Sequence, residues 1–260
     1  MRKRRMVCLA VMAVAFALLM GAQAQAAEVG VRAYVWFPSL SADARGNGGF
    51  AATTTNLTET LGLGNKAAYS AEIFGGMGKH HLSFMYTSLG YSDTKSLGSQ
   101  VVFNGAVYNP GTGVNTELNL KMYDLKYQYD LVHMQNILAG FSLGPILQIK
   151  YLDGEMKLSG QSASTQPGNQ KQSFQAPVPM IGLGCHANLI AKWLEARAQV
   201  TGMAYGGSLL IEGMADLSLT PFPFVDIHGG YKIMKLRAST NDFFLDSQFS
   251  GPYLALTVAF

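Results

Sequence analysis

The chain has 260 residues, 48% of them apolar and only 13% charged, with a formal charge of +3. Soluble domains usually carry about a quarter charged residues, so a soluble β-sandwich fits poorly, whereas a wall solvated by hydrocarbon on one side accounts for the deficit. The basic excess lies at the N-terminus, which excludes a nucleic-acid surface on the rest of the chain.

Arg2, Lys3, Arg4 and Arg5 form a basic start, and Met6 to Met20 is uncharged and almost wholly apolar. That run is short for a spanning helix, which needs roughly 20 residues. Small residues follow it, with cleavage expected near Ala24, Ala26 or Ala27. The reading is a signal peptide over 1–26, removed on export. What remains, 27–260, holds 15 basic and 16 acidic residues, a net charge of −1. It keeps one cysteine, Cys185, so no internal disulfide is available.

No later apolar run suits a membrane helix, and helical periodicity is missing. Ten segments read instead as strands, near 28–38, 67–77, 80–92, 113–131, 137–152, 174–189, 192–206, 208–220, 223–238 and 247–260. Period-two alternation sets their faces. In the fifth, Ala139, Phe141, Leu143, Leu147 and Ile149 face out. In the seventh, Leu194, Ala196, Ala198 and Val200 face out, with Glu195, Arg197, Gln199 and Thr201 inside. In the ninth, Val225, Ile227, Gly229, Tyr231 and Ile233 face out, with Asp226, His228, Gly230 and Lys232 inside. Trp36, Phe37, Trp193, Phe222 and Phe224 stand near strand ends, where an interfacial aromatic girdle belongs.

Long connections (39–66, the stretch around Asn109-Pro110-Gly111, and 159–171) alternate with short turns near Gly78-Lys79, His133–Asn136 and Ala191. That is the pattern of external loops and periplasmic turns. Val101 to Tyr108 reads as an extension of the second long loop; as a wall segment paired with another it makes twelve strands. Two features fit poorly: the apolar phase slips in the third strand and between Met122 and Leu125, where a bulge is one remedy, and Pro145 stands inside the fifth strand. The class is therefore all-β, an antiparallel up-and-down transmembrane barrel of about ten strands, with twelve as the alternative.

The last strand alternates to the end, with Leu254, Leu256, Val258 and Phe260 on one face. With the N-terminal signal and Gly229-Gly230-Tyr231, this close resembles small bacterial outer-membrane β-barrels of the broad OmpA/OmpW-like type. The resemblance implies residence in the outer membrane, lipid as solvent, and an aromatic C-terminal signal read by the barrel-assembly machinery. It transfers no role residue by residue.

Charges gather on the inner face of the later strands. A turn centred on Phe222 sets Glu212 opposite Lys232 and Asp216 opposite His228, with Arg197 one diagonal step from Asp216. This cluster reads either as a packed interior or as a gate or filter. Inward Gly140, Gly144, Gly182, Gly184, Gly230 and Gly251 either open a slender cavity or relieve curvature. Asp216 and His228 form an acid–base pair, but no motif places a serine nucleophile beside them, so no enzyme is expected. No cofactor or metal is expected either: His80-His81 lacks ligand spacing, and Gly182-Leu183-Gly184-Cys185-His186-Ala187 lies in a strand and opens no helix. The functional expectation is a narrow passive channel or carrier for small or hydrophobic solutes; the alternative is a structural or surface-interaction barrel with a sealed lumen.

Overall fold

The computed structural model describes residues 27–46, 55–61, 66–135, 140–161, 168–190, 193–239 and 243–260. The expected export signal, Ala139, the turn at Ala191 and parts of the long loops lie outside the described residues. The elements are β1 (Ala27–Trp36), β2 (Ser39–Gly46), β3 (Thr55–Asn56), α1 (Leu57–Leu61), β4 (Ala68–Met77), β5 (His80–Ser96), β6 (Val101–Phe103), β7 (Ala106–Tyr108), β8 (Gly113–Tyr129), β9 (Val132–Gln135), β10 (Gly140–Ser159), β11 (Asn169–Ile190), β12 (Leu194–Tyr205), β13 (Ser208–Phe222), β14 (Val225–Ser239) and β15 (Phe243–Ala259).

Ten of these close an antiparallel barrel in the order β1-β4-β5-β8-β10-β11-β12-β13-β14-β15, and β15 returns to β1. Closure leaves no free edge around the ring, the condition for standing in hydrocarbon. The count is ten and not twelve, because Val101–Tyr108 forms its own hairpin, β6–β7, apart from the wall. The 39–66 stretch is not all loop. Its first part, β2, prolongs β1 along β15 in unchanged register, with Trp36 opposite Tyr253 and Ser39 opposite Ser250. β3 then pairs briefly with β2.

The apolar phase slip has a cause other than a bulge. β5 and β8 pair without interruption from His80↔Tyr129 to Ser96↔Gly113. What changes is the solvent. Near the short turns β8 points Leu125 outwards, with Asp124 and Lys126 buried inside; towards the long loops Val114, Leu120 and Met122 are buried inside, with Asn119 and Lys121 exposed. β5 turns over in the same way, from exposed Leu82 and Phe84 to buried Leu89 and Tyr91 between exposed Ser88, Gly90 and Ser92. β10 passes from exposed Leu147 and Ile149 to buried Leu152 and Leu158. The short-turn half is thus apolar outside and polar inside, and the long-loop half is built like a water-soluble barrel around an apolar core.

Tyr86, Tyr123 and Tyr151 lie on one outward row at the changeover, ring centroids 5.1 and 6.1 Å apart. Phe37, Trp193, Phe222 and Phe224 are exposed, as a girdle requires, and Phe260 stacks on Phe224 at 5.5 Å. Trp36 is not part of that girdle. It has the inward parity of Tyr34, is 2% exposed, and donates its indole N–H to the Gly251 carbonyl at 3.1 Å. At the C-terminus Leu254, Leu256 and Phe260 point outwards, Val258 is half-buried, and the Phe260 N–H donates to Val29 O at 2.9 Å to seal the ring.

The inward glycines leave no room. A Cβ on Gly144 would stand 1.9 Å from the Tyr129 carbonyl, one on Gly182 1.9 Å from the Val200 carbonyl, and one on Gly251 2.0 Å from the Phe37 carbonyl. Each marks a close approach of a neighbouring backbone, so of the two readings of these glycines the slender cavity fails at these positions. Gly144 and Pro145 face the break where β8 gives way to β9, and there the proline's missing N–H is tolerated.

The mouth is filled as well. Phe103, Ala106 and Tyr108 of the β6–β7 hairpin and Leu61 of α1 are buried with Leu40, Leu89, Tyr91, Leu120, Leu158, Leu210 and Phe249 in one apolar cluster. The rim is uneven. β10 and β11 pair up to Ser159 and Asn169, whereas β12 meets β11 only from Ile181↔Gly202 downwards. From Asn169 to Met180, β11 pairs with β10 alone among the described residues.

Gly182→Ala should therefore lower folding stability by about 2 kcal/mol, an overpacking cost. Gly229→Ala, whose Cβ meets only Leu254 Cδ2 at 3.9 Å, should change it by less than about 0.5 kcal/mol. Urea unfolding of the two variants in detergent checks the contrast.

Candidate functional site

Two layers of charge cross the bore. The upper layer is centred on Lys150, which is fully buried. Its Nζ lies 2.6 Å from Asp124 Oδ1 and 2.9 Å from Glu212 Oε2. Gln148 donates to Asp124 Oδ1 at 2.7 Å. Lys232 Nζ stands 3.6 Å from Glu212 and 5.2 Å from the centre of the Trp36 ring, a cation–π contact. Met85, Thr87, Met122, Met180 and Met234 are buried around this level. A buried ion pair persists only when its desolvation is met by close partners. Here each cation has a carboxylate, and Lys150 has two.

The lower layer is more open. Arg32 donates to Glu72 Oε2 at 3.0 Å and to Thr257 Oγ1 at 2.5 Å, and its guanidinium carbon lies 4.7 Å from the centre of the Phe74 ring. Tyr34 donates to Glu72 Oε2 at 2.5 Å. Arg197 reaches both oxygens of Asp216, at 3.0 and 3.3 Å, and Tyr253 donates to Asp216 Oδ2 at 2.6 Å. His228 bridges the two halves, with Nδ1 3.2 Å from Asp216 Oδ1 and Nε2 2.8 Å from Thr257 Oγ1. Below this layer a cavity of about 230 Å³ opens towards the short turns, bordered by Glu28, Lys126, Gln128, Glu195 and Asp226 among others.

Arg197, Glu212, Asp216, His228 and Lys232 all face inwards, but they do not form a single cluster. Glu212 and Lys232 belong to the upper layer, and Arg197, Asp216 and His228 to the lower. Their register also differs from a turn centred on Phe222. Glu212 stands opposite Met234, Met214 opposite Lys232, Asp216 opposite Gly230 and Ser218 opposite His228. The tight turn lies at Pro223-Phe224, between paired Phe222 and Val225, with Phe224 at a left-handed φ of 69°, and the ladder shifts once more between Leu219 and Phe222. A slip of two residues keeps every side chain on its face, and the ion pairs survive as diagonals. Arg197 lies directly opposite Asp216 and not on a diagonal. The hairpin tip is Gly206-Gly207, with φ of 57° and 82°, the two left-handed positions of a tight two-residue turn.

Asp124, Lys126, Gln148, Lys150, Arg32 and Glu72 were not among the sequence candidates. Alternation marks them: Lys150 is two residues from Gln148 with Leu147 and Ile149 between and beside them, and Arg32 sits between Val31 and Ala33. His80 and His81 point apart, His80 to the Tyr127 hydroxyl at 2.7 Å and His81 to Asp130 at 3.0 Å. His186, solitary in sequence, meets Glu195 at 3.0 Å.

Thr257, His228 and Asp216 align in the order of a hydroxyl, imidazole and carboxylate relay. The hydroxyl is 1% exposed and already accepts the Arg32 N–H, so it is bound as part of the wall.

No protein-family model matches the chain, and no curated protein is similar to it in sequence. Among solved structures, the outer membrane protease OmpT from Escherichia coli superposes with a TM-score of 0.53 at 12% identity, over 89% of this chain and 97% of that one. The fold is that of a bacterial outer-membrane β-barrel. Looser likenesses include the attachment invasion locus protein Ail of Yersinia pestis, at TM-score 0.35 and 10% identity over 90% and 99% of the two chains. The toluene transporter TodX of Pseudomonas putida follows, at 0.33 and 6% over 93% and 90%.

Lys150→Met should leave Asp124 and Glu212 without their shared cation and cost about 3–5 kcal/mol. A quadruple variant that also replaces Asp124 and Glu212 by Leu and Lys232 by Met should recover most of that loss. Denaturant midpoints in detergent measure both.

Proposed function

We propose that this protein is an exported, integral outer-membrane barrel with a sealed lumen, acting through its outward hairpins and not as a passive channel. One observation carries the reading: the layer of Asp124, Lys150, Glu212 and Lys232, with Trp36, Met122, Met180 and Met234 at the same level, is buried to within a few per cent. A solute crossing here would have to break ion pairs whose separated members are costly in a desolvated space. The apolar filling above, completed by β6–β7, adds a second closure.

The raised halves of β5, β8, β10 and β11 support the second part of the reading. Their outer faces carry Glu117, Glu155, Lys157 and Lys171, joined in pairs from 2.5 to 3.6 Å, so they are built for water and stand above the lipid belt. In the outer-membrane orientation they face the exterior, and the short turns face the periplasm. Export by the N-terminal signal and insertion by the barrel-assembly machinery through Leu254, Leu256, Val258 and Phe260 belong to the same proposal. A catalytic role does not: among the described residues the His228–Asp216 pair has no accessible nucleophile beside it.

The test is single-channel recording of the protein, purified from membranes, in a planar bilayer. The expected trace is silent for the wild type. Glu212→Ala/Lys232→Ala, which thins the layer, should admit brief openings. Discrete steps from the folded wild type would refute the sealed-lumen reading.

A further inference from the structure

The periplasmic cavity has a charge pattern that the wall does not consume. Five inward cations, Arg32, Lys126, Lys150, Arg197 and Lys232, stand with four carboxylates, Glu72, Asp124, Glu212 and Asp216, in the two layers. Four of the cations have a close partner. Lys126 has none. It is 7% exposed, borders the cavity, and makes no hydrogen bond or ion pair among the described residues. Glu72, the nearest candidate by charge, is already held by Arg32 and Tyr34.

At the open end the imbalance reverses. Glu28 and Asp226 border the same cavity and have no cation partner among the described residues; Asp226 only accepts the Thr220 hydroxyl at 2.6 Å. The pocket thus has at depth an ammonium that no carboxylate holds in a salt bridge, and at its mouth two carboxylates that no cation holds in one. Its volume of about 230 Å³ far exceeds the roughly 10–15 Å³ that one water needs.

We propose that this cavity is a binding site for a small zwitterion taken from the periplasm, carboxylate inward against Lys126 and ammonium outward against Glu28 and Asp226. A simple anion would be repelled at the mouth, and a simple cation would meet Lys126 at the floor; a molecule with both charges in this order satisfies each. The proposal rests on the sealed layer above, which makes the cavity a blind pocket and not a stage of a passage.

Calorimetry of the membrane-purified protein in a non-ionic maltoside tests it, with ω-amino carboxylates from glycine to 6-aminohexanoate beside acetate and methylammonium. One chain length should bind at least tenfold more tightly than acetate or methylammonium. Lys126→Met should abolish that binding and Lys126→Arg should restore it. Glu28→Gln/Asp226→Asn should remove the advantage of the zwitterion over acetate. Heat-modifiable gel migration shows which variants are folded. No saturable heat from any amino carboxylate, equal binding of acetate, or undiminished binding by folded Lys126→Met would each overturn the proposal. Conductance of the wild type would instead strike the sealed layer, so the two failures are separable.

Discussion

Side chains on a β-strand alternate between two faces with a period of two, and a strand cannot exchange those faces without a bulge. β10 is 20 residues long and spans two environments on its outside. It keeps its pleat and changes its composition. Where the outside is hydrocarbon, Leu147 and Ile149 face it and Gln148 and Lys150 turn in; where the outside is water, Leu152 and Leu158 turn in. The same changeover in β5 and β8 falls at the tyrosine row. The buried ions and the apolar mouth follow from this one constraint: polar side chains excluded from lipid must neutralise one another, and apolar side chains excluded from water must pack.

The layer of Lys150 is best understood as the joint between those two regimes. Below it the interior can hold water, and a charge such as Lys126 survives outside any salt bridge. Above it Tyr91, Phe103 and Tyr108 leave water no place. A pair such as Lys150 and Asp124 contributes little net stability against an apolar substitute, but it gives the inward polar face a geometry that hydrophobic packing alone would not define. On the proposed reading, closure of the bore is a by-product of folding a small ring around side chains of ordinary size.

Much of this was legible in the residues. Alternation within the seventh and ninth strands assigned Arg197, His228 and Lys232 to the inside, and the spacing of turns gave ten strands. Where the pattern misled, the reason is physical. Met122 and Leu125 look out of phase because the period-two signal reports which face is apolar, and that face reverses midway. Trp36 resembles a girdle residue by its place near a strand end, but its parity and its bond to Gly251 draw it inside. The inward glycines signalled space only if neighbouring strands keep their distance; at Gly144, Gly182 and Gly251 a carbonyl comes closer instead. The exchange of Glu212 between partners turned on a tight turn that lies at Pro223-Phe224 and not on Phe222, with an irregularity before it between Leu219 and Phe222 that alternation does not reveal.

The stepped rim also bears on how the protein lives among its neighbours. Because β12 stops short, β11 carries from Asn169 to Met180 a flank that is unpaired among the described residues, and such a flank invites another strand. Pro177 and Pro179 stand on it with their rings exposed. Neither has an N–H to offer, so a foreign strand would meet a ladder with missing rungs. The two prolines act as a guard against chain-to-chain pairing, in a crowded membrane where open edges would join barrels into aggregates.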